Sequence, residues 1–267
     1  MKKIFYILSL CLLLSVACEK SNPNDENPVE VPTSLTYVAT TIADHDAVIV
    51  RASDFESGAP VVVVLAEDLK LSTRSAEKID INFKAAEHCL IGGYVLCVIE
   101  AASGDDISFL SNLKSEFPYA PKFYLLSYRN GLAYTAAMQM PDAFAAYACV
   151  SGAIDVETYK ANSFNKPVSF VHVHATENPV CKWEGVENKT VSVPLSVGAI
   201  VAINECLTFK TSEVLPREGK GRVTCTRYTD ALSGCDVMLY SVESANSGWC
   251  DEEFEVYNQI WNFLKTH

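Results

Sequence analysis

Residues 122–131, Lys-Phe-Tyr-Leu-Leu-Ser-Tyr-Arg-Asn-Gly, combine a short apolar strand with a turn. The next segment, 132–141, has helical composition and ends at Pro141. A strand that turns sharply into a helix lets the central turn residue project alone, which is the geometry of a nucleophile elbow. The central residue here is Arg129. A guanidinium stays cationic and has no lone pair to attack a carbonyl, so the pattern predicts an elbow without a nucleophile.

Two further groups of side chains could take part in catalysis or metal binding. His172 and His174 alternate on one apolar strand, a spacing that puts both rings on the same face. Buried, hydrogen-bonded histidines are the preferred interpretation, and a metal-binding pair is the alternative. Ser127 lies two positions before the turn apex and is interpreted as a strand-terminal hydroxyl, and Glu67 with Asp68 forms a candidate carboxylate pair.

The cysteines indicate an oxidising compartment. None forms a C-x-x-C pair, so disulfides or buried thiols are the competing interpretations, and neither a metal site nor a cofactor is predicted. Apart from Cys11 and Cys18 near the N-terminus, the cysteines are Cys89, Cys97, Cys149, Cys181, Cys206, Cys225, Cys235 and Cys250.

The N-terminus has the features of an export signal. A basic start, an apolar run and a small-residue ending predict a signal peptide over residues 1–17. The sequence Val-Ala-Cys18 resembles a bacterial lipobox, which predicts a lipidated Cys18; a free cysteine beside an ordinary cleavage site is the alternative. Residues 18–33 are polar, acidic and proline-rich, as in a flexible tether. We therefore expect an outer membrane lipoprotein that faces the periplasm or the cell surface.

Residues 34–267 are long enough for one sizeable domain. The formal net charge of −12 argues against a nucleic-acid partner and is otherwise typical of a soluble exported protein. Short β-branched runs alternate with segments of helical spacing, which predicts an α/β fold with a mostly parallel, doubly wound sheet and helices on both faces. The predicted strands are 47–50, 60–65, 94–99, 122–126, 146–150 and 168–173, and the predicted helices are 75–90, 106–117, 132–140, 197–206 and 251–265.

Six segments in the same order resemble the extracellular feruloyl esterase and polyhydroxybutyrate depolymerase group of α/β-hydrolases. They match the strand before the oxyanion turn, a D-D-V-x-F-L helix start, the G-x-S-N-G elbow, the strand after it, and the loops that carry the triad acid and the triad histidine. The segments are 61–65, 104–110, 127–131, 141–152, 172–180 and 237–249. The resemblance implies an α/β-hydrolase fold over the whole domain.

The residues that carry catalysis in that family differ here. The resemblance puts Arg129 at the nucleophile position, Asn178 at the acid position and Ser247 at the base position. Ala66 and Glu67 replace the histidine and glycine of the oxyanion turn. An amide cannot stabilise an imidazolium, and a serine has no pKa suited to accepting a proton near neutrality, so no catalytic residue is expected.

The resemblance also suggests two disulfides. Cys181 and Cys250 each lie three residues past a lost triad position, in loops that meet in the family's fold, so a Cys181–Cys250 bond is one hypothesis. Separately buried thiols are its alternative. Cys206 and Cys235 lie where family members often have a bridged pair, and a bond between them is the second hypothesis.

The interpretation that follows is a non-catalytic, lipid-anchored hydrolase-fold protein that holds a glycan or a small ester-type ligand in the former cleft. Arg129, Trp183 and Trp249 are the candidate ligand contacts, through charge pairing and ring stacking. A simple salt bridge from Arg129 to Glu67 or Glu177 is the preferred interpretation of that arginine alone. The other functional hypotheses are a carboxylic ester hydrolase with unconventional residues and a module that interacts through its outer surface.

Overall fold

The computed structural model describes residues 35–53, 55, 58–71, 89, 92–102, 104–161 and 164–267. The predicted signal peptide and tether lie outside the described residues, as does the predicted helix 75–90 except for residue 89. No helix among the described residues has both the length and the apolar character that a membrane crossing requires.

The described strands form one sheet in the order β1-β2-β4-β3-β5-β6-β7-β10-β9-β8. The six central strands, β4-β3-β5-β6-β7-β10 in sheet order, are parallel to their neighbours within this group. At the two edges β1, β2, β8 and β9 pair antiparallel. The strands are β1 Leu35–Ile42, β2 His45–Ala52, β3 Val61–Ala66, β4 Val95–Glu100, β5 Phe123–Tyr128, β6 Ala146–Val150, β7 Phe170–Ala175, β8 Thr208–Val214, β9 Val223–Thr229 and β10 Val237–Val242.

Helices cover both faces of this sheet, as predicted. One face packs against the last helix, and the other packs against the first, second and fourth helices and a short 3₁₀ helix, Ser108–Asn112. The helices are α1 Leu113–Glu116, α2 Leu132–Gln139, α3 Val156–Ala161, α4 Val193–Ile203 and α5 Val256–Leu264. The predicted helix 106–117 is therefore a 3₁₀ helix followed by one α-helical turn.

The central strands form because they are apolar on both sides. Every residue of β3, β5, β6 and β7 is buried, and alternate residues such as Val62 and Val63 pack into the cores on opposite faces. Continuous apolar runs of this kind suit a parallel sheet covered on both faces. The parallel register places the ends of β3, β5, β6 and β7 side by side, so the loops that follow them open at one edge.

Candidate functional site

The predicted elbow is present between β5 and α2. Arg129 has a φ of 63°, in the left-handed region that non-glycine residues rarely adopt. Its N–H donates to the carbonyl of Val150 on the neighbouring strand at 3.0 Å, and its side chain is exposed. The backbone therefore turns as a nucleophile elbow does, and it presents a guanidinium at the apex.

The side chain of Asn130 holds the elbow in place. It is 2% exposed, and its Nδ2 lies 3.1–3.3 Å from the carbonyl oxygens of Leu65, Ala101 and Tyr128. Its Oδ1 accepts the N–H of Leu132, the first residue of α2. One amide thus joins the end of β3, the loop after β4, the end of β5 and the start of α2, because it can donate and accept at once.

Arg129 has no ion pair among the residues that the structure describes. The expected salt bridge to Glu67 or Glu177 is not formed. The guanidinium carbon instead lies 5.3 Å from the centre of the Tyr128 ring. Burial raises the pKa of the Tyr128 hydroxyl, and the adjacent Arg129 partly offsets that rise. Arg129 thus interacts with Tyr128 and with no acid among the described residues.

Asn178, at the position predicted for the triad acid, forms hydrogen bonds within its own loop. Asn178 is 2% exposed, and its Oδ1 accepts the N–H groups of Val180 and Cys181 at 2.9 and 3.0 Å. The same two residues line the cavity described below. Asn178 thus shapes the cavity wall from beneath, through a turn of the kind that asparagine side chains favour.

The position predicted for the triad base lies in the loop after β10. Ser247 is half-buried, and the loop is organised by the buried carboxylate of Glu253. Glu253 accepts hydrogen bonds from Ser244 Oγ at 2.6 Å and from Asn246 Nδ2 at 3.2 Å. The chain places no histidine between β10 and α5, so this loop supplies no imidazole to the elbow.

The predicted oxyanion turn, Ala66 and Glu67, does not form an oxyanion-binding site. Ala66 is fully buried at the end of β3, and the N–H of Glu67 donates to the carbonyl of Tyr128 at 3.4 Å. That N–H points at the backbone of the elbow strand. The Glu67 side chain lies in the lining of the cavity, where a carboxylate disfavours a developing negative charge.

A cavity of about 510 Å³ opens over the elbow. Its size is in the range of sites for small molecules. Its lining comes from the loops after β3 and β4, the elbow, the loop after β6 with the start of α3, and the segment 180–190. It consists of Glu67, Gly104, Arg129, Asn130, Gly131, Ala153, Asp155, Glu157, Val180, Cys181, Val186, Asn188, Lys189 and Thr190.

The two predicted tryptophan contacts do not line this cavity. Trp249 is 5% exposed and packs in the core on the α5 face, with its ring 5.1 Å from that of Tyr128 and 5.8 Å from that of Tyr257. Trp183 packs against the opposite core, with its ring 6.1 Å from that of His174. Large aromatic rings bury more area inside these cores than at a polar cleft, which accounts for both positions. Of the predicted ligand contacts, Arg129 alone lines the cavity.

The expected Cys181–Cys250 bond is absent, and all the described cysteines are free thiols. Cys250 belongs to the core on the α5 face, whereas Cys181 packs against the core on the other face, so the sheet separates the two side chains. Cys206 and Cys235 are also free. The pKa of Cys206 is raised by burial and then by Asp236 and Cys235, which places the two thiols near each other, and a bond between them stays a prediction.

His172 and His174 form a buried chain of hydrogen bonds, as the preferred interpretation expected. The Tyr134 hydroxyl lies 2.7 Å from His172 Nδ1, His172 Nε2 lies 3.2 Å from His174 Nδ1, and His174 Nε2 lies 2.7 Å from the Cys181 carbonyl. A carbonyl only accepts, so each Nε2 carries the proton when both rings are neutral, and every contact is then satisfied. The chain links the core to the Cys181 loop of the cavity.

The same histidines predict a loss of stability in mild acid. Burial lowers the pKa of both rings; His174 lowers that of His172 further, and backbone hydrogen bonds partly offset the effect at His174. The histidines of the unfolded chain take up protons below a pH of about 6.5, where the folded pair takes up fewer. The contribution is intact above that pH, and it is lost as the pH falls toward the lowered folded-state values. We expect the free energy of unfolding to fall by at least about 1 kcal/mol on this account between pH 7 and pH 5.5, the contribution of one ring that stays neutral in the folded protein.

Urea unfolding at the two pH values measures this loss. Other groups also titrate in the interval, so the reference is the double variant His172→Gln/His174→Gln, whose amides carry no titratable proton. The wild-type protein should lose more stability than this variant. An equal loss in both proteins would show that the pair does not titrate differently on unfolding.

No protein-family model matches the chain, and no curated protein sequence matches it. Solved structures do match. A protein described as a CIB-like hydrolase from Thermoplasma acidophilum superposes with a TM-score of 0.51 at 11% identity, over 88% of this chain and 99% of its own. A protein described as a dienelactone hydrolase from Klebsiella pneumoniae gives 0.51 at 12% identity, over 88% and 100%. The chain has the α/β-hydrolase fold.

A third match differs in length. Prolyl oligopeptidase B from Galerina marginata superposes with a TM-score of 0.51 at 11% identity over 87% of this chain, which spans 36% of that enzyme. At these identities the likeness concerns the fold. The hydrolase fold accounts for the elbow between β5 and α2 and for a cavity at the carboxyl ends of the parallel strands.

Sequence analysis did not identify the segment 185–190, which covers one side of the cavity. Asp155 pairs with Thr190 in an isolated bridge, and the N–H of Val156 donates to the carbonyl of Lys189 at 2.8 Å. Gly185 and Asn188 have φ values of 86° and 57° and mark a tight turn. Such residues predict a turn. Its position beside the elbow depends on the pairing of residues 155 and 156 with residues 190 and 189, which are far apart in the chain, so the sequence does not predict it.

Proposed function

We propose that this protein binds a small ligand, of glycan or ester type, in the cavity over the elbow and does not hydrolyse it. The observation that carries the proposal is Arg129, whose exposed guanidinium forms no ion pair among the described residues and occupies the apex of an intact elbow. A hydrolase of this fold needs a nucleophile at that apex, and a guanidinium cannot act as one.

The surroundings support binding over hydrolysis. Cys181 is the thiol in the cavity lining, and burial raises its pKa to about 11, so very little thiolate is present near neutrality. The histidines nearest in the chain to this loop are buried and engaged with each other and with the Cys181 carbonyl. Neither of these histidines therefore has a free ring nitrogen with which to act as a general base.

The alternative is an ester hydrolase that uses unconventional residues, and the retained elbow favours it. Purified protein assayed with p-nitrophenyl acetate and methyl ferulate separates the two functions. We expect rates equal to those of buffer containing an inert protein. Turnover that a single substitution in the cavity lining abolishes would overturn the non-catalytic proposal, because contamination would not respond to that substitution.

We also propose that Cys18 carries a lipid that holds the protein on the bacterial outer membrane. The support is the lipobox-like Val-Ala-Cys18 and the polar segment after it. Metabolic labelling with an alkyne fatty acid should mark the wild-type protein and not the Cys18→Ala variant. Equal labelling of both would contradict the anchor.

A further inference from the structure

Two cations line the cavity over the elbow. Arg129 comes from the apex, and Lys189 comes from the segment 185–190. Both are exposed, and neither takes part in an ion pair among the residues that the structure describes. Two cations without acidic partners in one concave site stand out in a protein whose formal net charge is −12.

The three acids in the lining all take part in intramolecular contacts. The Asp155 carboxylate accepts the N–H of Thr158 at 2.7 Å, as a cap at the start of α3. Glu157 pairs with Lys160 one turn further along the same helix, at 3.1 Å. Glu67 is the third acid of the lining, and it also interacts with another group. The acids of the lining thus have intramolecular partners, whereas its two cations take part in no ion pair among the described residues.

The backbone that carries Lys189 is held in position before any ligand arrives. The N–H of Val191 donates to the carbonyl of Ile154 at 2.9 Å, next to the bond between Val156 and Lys189. At Gly185 a Cβ atom would lie 2.7 Å from the carbonyl oxygen of Thr190, so the turn closes tightly on itself. A fixed backbone lowers the entropy that binding must remove.

We infer that the ligand of this cavity carries a carboxylate, which Arg129 and Lys189 bind together. The inference rests on the proposed function and specifies the chemistry of its ligand. Arginine offers two parallel donors to a carboxylate, and lysine adds a second charge. The three acids of the lining repel each further negative charge on the ligand, so a carboxylate suits the site better than a phosphate dianion. The volume of about 510 Å³ admits a sugar acid or a hydroxycinnamic acid.

A ligand-detected NMR titration with matched pairs of probes tests the charge requirement. Glucuronate is compared with glucose, and ferulate with methyl ferulate, so that each pair differs mainly in the carboxylate. We expect at least one acid to bind about 10-fold or more tightly than its neutral partner, which corresponds to about 1.4 kcal/mol. The two acids also distinguish a saccharide from an aromatic source of the carboxylate.

Three variants locate the binding. Arg129→Gln and Lys189→Gln should each weaken binding of the preferred acid about 10-fold and leave binding of its neutral partner unchanged. Lys182→Gln is the matched control, because Lys182 is exposed in the same loop region and does not line the cavity. It should bind as the wild type does. Thermal melting of all three confirms that the fold is kept.

The outcomes separate this inference from the proposed function. Equal binding of acid and neutral partner, unchanged binding in both cavity variants, or tighter binding of inorganic phosphate than of either acid would overturn the carboxylate assignment while leaving non-catalytic binding intact. The absence of measurable binding for both acids would overturn it as well. Turnover of methyl ferulate in the same tubes would instead overturn the proposed function.

Discussion

Gly152→Ala is expected to destabilise the protein by about 3 kcal/mol or more, or to prevent folding. A Cβ atom at this position would lie 1.9 Å from the carbonyl oxygen of Asn130, and one at Gly131 would lie 2.2 Å from the carbonyl oxygen of Ala153. In both cases the obstacle is backbone, which cannot rotate away as a side chain can. The elbow and the loop after β6 therefore pack backbone against backbone, and Gly131→Ala should have a similar effect.

The control is Gly198→Ala in the exposed middle of α4, where nothing lies within 4 Å of the added atom. Alanine favours a helix over glycine, so this variant should gain about 0.5–1 kcal/mol. Urea unfolding of the three variants and the wild type measures the contrast. A Gly152→Ala protein as stable as the wild type would mean that the two loops can separate, and that the elbow is not rigidly held.

Asn130→Ala should cost about 2–4 kcal/mol, since it removes the partners of several buried backbone groups at once. The carbonyls of Leu65 and Ala101 lose their donor, and the N–H of Leu132 loses its acceptor. Asn130→Asp should be at least as harmful, even though it keeps an acceptor for Leu132. Its carboxylate would face the same carbonyl oxygens in a buried site.

Asn258→Ala is the matched control for this residue. Its Nδ2 bonds to Glu255 at the surface of α5, and its loss should change stability by less than about 0.5 kcal/mol. Chemical unfolding gives the free energies, and ligand binding to the folded Asn130 variants shows whether the apex moves. An Asn130→Ala protein that loses less stability than Asn258→Ala would refute the role given to this amide.

These contacts bear on function because they hold Arg129 in place. Asn130, Gly131 and Gly152 keep the apex in a left-handed conformation that an arginine does not adopt by preference. The scaffold is thus maintained around a side chain that cannot attack a carbonyl. The strained backbone at Arg129 is explained if the protein needs the guanidinium at this position, as the proposed carboxylate site does.

Much of the fold could be predicted because the central strands are continuously apolar. The predicted strand 146–150 coincides with β6, and the strands predicted at 122–126 and 168–173 differ from β5 and β7 only at their ends. The edge strands β1, β8 and β9 were missed. Nearly every residue of β8 is exposed, so it has no apolar alternation, and it exists because its backbone pairs with β9.

The boundaries of the helices were less predictable. The helix predicted at 197–206 is α4, Val193–Ile203, which begins after Ser192, whose Oγ accepts the N–H of Leu195. This capping residue followed by a proline was a usable signal for an earlier start. The six-residue α3 was missed because none of its residues is buried, and an apolar stripe is what identifies a helix in a sequence.

The sequence by itself determined the alternating fold, the elbow with Arg129 at its apex and the pairing of His172 with His174, because each follows from the spacing of residues close together in the chain. The tertiary structure alone decided which side chains reach the cavity. It buried Trp249 in one core, separated Cys181 from Cys250 by the sheet, and placed Lys189 in the lining of the same cavity as Arg129. Those outcomes depend on which face of the sheet each loop crosses. The spacing of residues within a segment does not determine the path of a loop.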